Sequence, residues 1–183
     1  MFLIIEGIHD TGKSTLIDRL CSSKFAFALF KAKRLIPQFE DAKNVQVSDF
    51  AFGVNCSVVW FASQLSERHQ IVFDRLHLSE YAYGRAIRNT DKFDAIRRFE
   101  IIDQTLSTFN VKLVYLECDY EIIQQRQKKK NVVYSKISYE KLTEAFNNAL
   151  KVTRLPILRL NTGEKNETLI YQEVCRFLED KCD

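Results

Sequence analysis

Glycine and proline are scarce, at five and two residues in a chain of 183. With so few breakers, connections between elements should be short and disordered tails minor. Long apolar runs are also missing, and none approaches the roughly 20 residues needed to span a bilayer. The N-terminus is apolar for only a few residues before it enters a polar, glycine-bearing loop, so it lacks the core of a signal peptide. The expected location is cytoplasmic. No C-x-x-C pair occurs; Cys21, Cys56, Cys118, Cys175 and Cys182 are dispersed and read as free thiols of a reducing compartment. The net charge of +3 is below what a dedicated duplex-binding protein carries, yet leaves basic residues enough for a local funnel toward a small anion. Repeats, low-complexity tracts and interdomain linkers are absent from the sequence, which predicts a single domain over 1–183.

What is present is an alternation of short apolar runs with longer amphipathic ones, the pattern of βαβ units on a parallel sheet. Strands are predicted at Phe2 to Ile5, within Phe25 to Phe30, at Ile71 to Asp74, at Val111 to Cys118 and at Ile157 to Leu160. Helices are predicted over Lys13 to Cys21, from Ser48 or Asp49 as N-cap through Leu65, from Ser79, over Asp94 to Ser107, over Asp119 to Lys130, over Ser138 to Thr153, and over Glu167 to Leu178. Pro37 argues against a helix behind the basic cluster Lys31, Lys33 and Arg34.

The strongest motif is Gly7-Ile8-His9-Asp10-Thr11-Gly12-Lys13-Ser14-Thr15, which fits G-x-x-x-x-G-K-[ST] between an apolar strand and a helical pattern. Glycines let the backbone curl so that successive N–H groups face a phosphate, and the following helix adds its positive end. Lys13 would carry its ammonium to the β/γ-phosphates of ATP, and the Ser14 hydroxyl would ligate Mg²⁺. Gly7, His9, Asp10, Thr11, Gly12, Lys13, Ser14 and Thr15 are therefore the candidate ATP-binding set. N-K-x-D and T-K-x-D base-recognition motifs do not occur, which disfavours a GTPase.

A second motif, Phe73-Asp74-Arg75-Leu76-His77-Leu78-Ser79-Glu80-Tyr81-Ala82-Tyr83, begins at the end of a predicted parallel strand, where ligands collect in doubly wound sheets. An Asp there can join the Mg²⁺ shell or orient the acceptor, and an Arg can clamp an acceptor phosphate bidentately. With these residues on the page, the sequence resembles the thymidylate kinase branch of the nucleoside monophosphate kinases. The opening Phe2 to Leu16, including Glu6, looks like that family's first strand and loop, and Asp74-Arg75, Ser79 and Ala82-Tyr83 are similar to its D-R-Y-x-x-S-x-x-A-Y-Q signature. The resemblance implies a three-layer α/β/α P-loop fold with a five-stranded parallel sheet and a helical lid at about 126–137. It also implies transfer of the γ-phosphoryl of ATP to a (deoxy)nucleoside monophosphate, with Lys13 and Ser14 serving ATP and Mg²⁺, Asp74 the catalytic centre and Arg75 the acceptor.

Four positions depart from the family pattern: His9 stands where an Asp is frequent, Leu76 replaces the Tyr, Gly84 the Gln, and Leu65 falls where a base-reading Arg is expected. Phe61 would be the base-stacking Phe, and Tyr83 and Arg88 are further acceptor candidates, Arg88 sharing a helix face with Arg85. Arg126, at the head of a basic run through Lys130, is the candidate lid cation for the transferring phosphoryl. Lys31 and Arg34 are candidates for holding an acceptor phosphate. The His77-Leu78-Ser79-Glu80 wording is similar to that of small phage-encoded kinases, so acceptors of other kinds stay open: a deoxynucleoside, a modified base or a 5′ end in DNA. A nucleotide-dependent switch without an acceptor is the alternative of another class. The aromatic helix ending at Leu65 offers a homodimer face.

Overall fold

The computed structural model describes residues 1–31, 44–65, 68–128 and 135–180. Lys33, Arg34, Pro37, Lys129, Lys130 and Cys182 lie outside the described residues, as does the middle of the expected lid. Five strands pair in parallel: β1 (Phe2–Glu6), β2 (Ala28–Phe30), β3 (Ile71–Asp74), β4 (Val111–Glu117) and β5 (Ile157–Asn161), in the order β2-β3-β1-β4-β5. Seven helices connect or close them among the described residues: α1 (Lys13–Cys21), α2 (Asn44–Leu65), α3 (His77–Ala86), α4 (Lys92–Leu106), α5 (Tyr120–Lys128), α6 (Lys136–Val152) and α7 (Glu167–Glu179).

The period of two along the strands divides the core into two layers. Phe2, Ile4, Ile71, Phe73, Leu113 and Tyr115 face Val58, Leu78, Phe99 and Phe146, from α2, α3, α4 and α6. Leu3, Ile5, Val72, Val114 and Leu116 face Leu16, Ile17, Leu20, Ile170 and Val174, from α1 and α7. β1 is covered on both faces and paired on both edges, with Ile5 opposite Asp74 on β3 and Glu6 opposite Tyr115 on β4. This register brings the loop after β1 and the turn after β3 to the same edge of the sheet, at the reversal of strand order where α/β sheets bind ligands.

The expected strands and helices are all there, with shifted ends. β2 is confined to three residues because Ser23 to Phe25 form a turn, with the Ala26 amide donating to Ser23 O at 3.0 Å. The helix expected from Ser48 begins at Asn44, so Ser48 is no cap. Its buried hydroxyl pairs with Thr90 Oγ1 at 2.9 Å and accepts from Arg88 Nε at 3.0 Å. A tertiary partner has taken the group that local reasoning assigned to capping. Caps do form at Asp91, Ser135 and Asn166, whose side chains accept first-turn amides of α4, α6 and α7. The four described cysteines are free thiols.

Lys112, the second residue of β4, is a charge inside the apolar sandwich, 3% exposed. Its ammonium donates to Phe177 O at 2.5 Å, Leu178 O at 3.4 Å and Asp180 O, and so closes the C-terminal end of α7, whose last carbonyls lack partners within the helix. No described helix is long and apolar enough to cross a membrane.

Candidate functional site

The loop from Gly7 to Gly12 takes its shape from two glycines with different jobs. A Cβ on Gly7, at φ 141°, would sit 2.2 Å from Leu116 O, so the loop rests directly on the end of β4. Gly12, at φ 88°, opens α1 in a left-handed conformation with no side-chain cap, and a Cβ there would meet nothing. Asp10 is also left-handed, at φ 62°. Inside the loop Thr11 Oγ1 donates to Ile8 O at 3.0 Å, and Lys13 Nζ reaches Ile8 O at 2.5 Å and Thr11 Oγ1 at 3.2 Å. Burial drives the Lys13 pKa well below the usual lysine range and Arg75 adds to this, while Asp74, Glu6 and Asp10 pull the other way.

Facing the loop, the turn after β3 carries the second motif. Asp74 pairs with Lys31 at 3.5 Å. Arg75 has φ 68°, a strained conformation for a non-glycine residue that is supported by its amide donating to Ile5 O at 3.1 Å. Its guanidinium donates from Nη1 to Ser79 Oγ at 3.3 Å and from Nη2 to His9 Nδ1 at 3.4 Å, and lies 5.2 Å from the centre of the Tyr83 ring. His9 and Tyr83 stand edge to face at 5.5 Å. The fully buried Glu6 accepts from Leu76 N at 2.7 Å, Ser79 N at 3.2 Å and Ser79 Oγ at 2.5 Å.

Loop and turn border one cleft of about 1030 Å³. Its far wall comes from α5, the loop after β5, and α7. Arg126 donates to Asp10 O at 2.9 Å, Thr162 Oγ1 at 3.2 Å and Thr162 O at 2.9 Å, binding the end of α5 to the phosphate-loop backbone. Gln127 Nε2 reaches Asp10 Oδ2 at 3.3 Å. Arg19 lies over the Tyr171 ring at 4.2 Å. Thr162, Arg19, Tyr171 and Lys165 line the cleft. No motif marks them, because they meet the loop only through the order of strands and the packing of α1 on α7.

Of the candidates read from the sequence, His9, Asp10, Gly12, Lys13, Ser14, Thr15, Asp74, Arg75 and Arg126 line this cleft together with Lys31. Gly7 and Thr11 support the loop from below, and Tyr83 touches Arg75 from α3. Two candidates are elsewhere. Arg88 turns behind α3, donating to Ser48 Oγ at 3.0 Å, Glu80 O at 3.2 Å and the Glu80 carboxylate; Arg85 Nη1 likewise goes to Thr90 O at 2.5 Å. Phe61, 48% exposed, leans on Phe30 at 5.9 Å along an open apolar groove of α2. Arg88 falls in the bend just past the end of α3, turned toward Ser48 of α2, and Phe61 lies on the outer stripe with Phe50 and Trp60.

The Arg88 partner sets a pH dependence. Burial lifts the Glu80 carboxyl from 4.5 to about 7, against the pull of the Arg88 guanidinium. The native state then binds this proton more tightly than the unfolded chain, so the contribution of this group to stability is full below pH 4.5 and is lost as pH rises through 7. At about 1.4 kcal/mol per pH unit the loss is ~3 kcal/mol. Glu80→Gln keeps a neutral acceptor for Arg88, and denaturant unfolding at pH 5 and pH 8 should show that decline removed relative to the parent chain. Equal slopes in both proteins would refute it.

Among the described residues no group of three or more His, Cys, Asp or Glu forms a metal site. The oxygens of Ser14 and Asp74 in the cleft suit Mg²⁺, a hard cation that keeps waters and substrate phosphates as ligands and takes one or two from protein.

No protein-family model and no curated protein matches the sequence. Solved structures do match. The chain is similar to YorR of Bacillus subtilis in complex with phosphorylated GDP (19% identity, TM-score 0.70, 98% of this chain and 96% of that one). It is similar also to thymidylate kinase from Candida albicans (18%, 0.71, 97% and 90%) and to deoxyadenosine kinase from M. mycoides with bound dCTP (19%, 0.63, 97% and 98%). At these identities the likeness is one of fold: a five-stranded parallel sheet and seven helices in the arrangement of P-loop kinases.

Proposed function

We propose that the protein is an ATP- and Mg²⁺-dependent kinase that moves a γ-phosphoryl group to a (deoxy)nucleoside monophosphate. The observation that carries this reading is the composition of one cleft, which has a phosphate loop with Lys13 on one side and the cations Arg75 and Lys31 on the other. A chain that only bound ATP would have no use for the second anion site.

The acceptor class follows from which charges are available. A bare hydroxyl acceptor asks for a carboxylate close by to take its proton. Glu6 is spent on the amides of α3, Asp10 is partnered by Gln127 and Glu167 stands on the far wall at the start of α7, which leaves Asp74 beside Arg75, itself paired with Lys31. Two cations and one paired carboxylate fit an acceptor that arrives already charged.

In this reading the loop amides and the Lys13 ammonium hold the triphosphate tail, and the donor nucleoside lies toward Thr162, Arg126 and the Arg19–Tyr171 pair. Ser14 and Asp74 would hold Mg²⁺, which supplies neutralising charge across the phosphate oxygens. Arg75 clamps the acceptor phosphate, and Asp74 orients it in line with the donor. Little covalent work is left for the protein; positioning and charge account for the rate.

The solved structures similar in fold carry phosphorylated GDP in one case and are a thymidylate kinase and a deoxyadenosine kinase in the others, which supports an acceptor of the nucleotide or nucleoside class. Radiolabelled ATP offered with nucleoside monophosphates, deoxynucleosides and DNA should yield labelled diphosphates. Transfer to deoxynucleosides alone, or to DNA with steep salt dependence, would replace the acceptor; hydrolysis indifferent to every acceptor would point to a switch.

A further inference from the structure

The carboxylate of Glu6 is fully buried at the end of β1, and its partners are 70 and 73 positions away. α3 has no side-chain cap of its own: its N-cap is Leu76. Glu6 supplies one instead, with Oε1 accepting from Leu76 N and Ser79 N. A cap would be complete with those two amides. The second oxygen does something else, accepting the Ser79 hydroxyl proton at 2.5 Å.

We propose that Glu6 acts through Ser79 as the positioning residue for Arg75, and so sets affinity for the acceptor's anionic group; this rests on the kinase reading for what Arg75 binds. A serine hydroxyl has one proton. With that proton committed to Glu6, the lone pairs of Ser79 Oγ face Arg75 Nη1 at 3.3 Å. Without Glu6 the hydroxyl turns freely and loses its orientation as an acceptor. The same strand end also governs the backbone, because Ile5 O receives the Arg75 amide while Glu6 receives that of Leu76. Consecutive residues of β1 therefore hold both sides of the turn whose left-handed residue is Arg75. His9 and Tyr83 border the guanidinium on its other sides. One N–H of each terminal nitrogen is spent on this clamp, and those remaining can meet an anion in a fixed orientation.

Ser79→Ala separates positioning from capping, since both amide bonds to Glu6 survive while the hydroxyl that links Glu6 Oε2 to Arg75 is lost. It should raise the acceptor KM about tenfold, the effect of one hydrogen bond to a charged group, with the ATP KM nearly unchanged and the melting temperature lowered by a few degrees, because the buried Glu6 Oε2 loses its hydroxyl donor. Glu6→Gln should do at least as much to the acceptor KM. The second measurement needs no turnover: the ¹⁵N order parameter of Arg75 Nε–H should fall in both variants, toward the range below ~0.6 typical of flexible groups. If the Gln variant does not fold, Ser79→Ala alone decides. An unaltered acceptor KM together with an unaltered Arg75 order parameter would overturn the proposal. Should the parent chain phosphorylate no acceptor at all, the kinase reading falls, and the order parameter still decides the clamp.

Discussion

Lys13→Met is expected to slow phosphoryl transfer by roughly 10³-fold, the cost of removing a preorganised donor from developing charge. The methionine stem is close in length, so the change is one of charge and not of shape. Stability should move in the opposite direction or not at all. The ammonium is buried, and its pKa is driven well down by burial and by Arg75, which marks it as a group that destabilises the fold in order to serve the site. Ile8 O keeps the Thr11 hydroxyl as a partner. Single-turnover kinetics with labelled ATP, run beside thermal unfolding, would check both halves. A variant that turns over like the parent would remove the assignment of the loop as the phosphate site.

Arg75→Gly is the second large effect. Glycine is the substitution of choice because φ 68° strains any other residue, by about 1–3 kcal/mol, and alanine would keep that strain while losing the guanidinium. The acceptor KM should rise about 100-fold, the equivalent of ~3 kcal/mol for a two-pronged charged contact. Binding of Mg·ATP, read by calorimetry, should stay within a few fold. Loss of ATP binding with acceptor binding intact would reverse the two ends of the cleft.

The sequence carries the order of the elements because each is announced locally. β4 is a run of apolar and β-branched residues bounded by polar ones, and α1 follows directly from the glycine-bearing loop. The loop itself is legible because its chemistry is contiguous, from Gly7 to Thr15. Side chains whose partners are remote were harder to read. Glu6 shows as a motif letter, but that it caps α3 depends on the β1–β3 register. The helical spacing that would set Arg88 beside Arg85 fails because α3 ends at Ala86; past that end Ser48 and Glu80 take the Arg88 guanidinium. The family resemblance sets Phe61 at a base-stacking position, yet only the packing of α2 decides which stripe is turned outward. Arg126, the candidate lid cation, reaches the cleft with its donors already on Asp10 O and Thr162.

Lys112 bears on how the chain can be handled. Its ammonium is kept in an apolar layer by carbonyls of Phe177, Leu178 and Asp180, all within the last turns of α7. Cutting the chain back past Phe177 would strand that charge, and an unpaired buried ion costs several kcal/mol. The end of α7 is thus a keystone for the sheet.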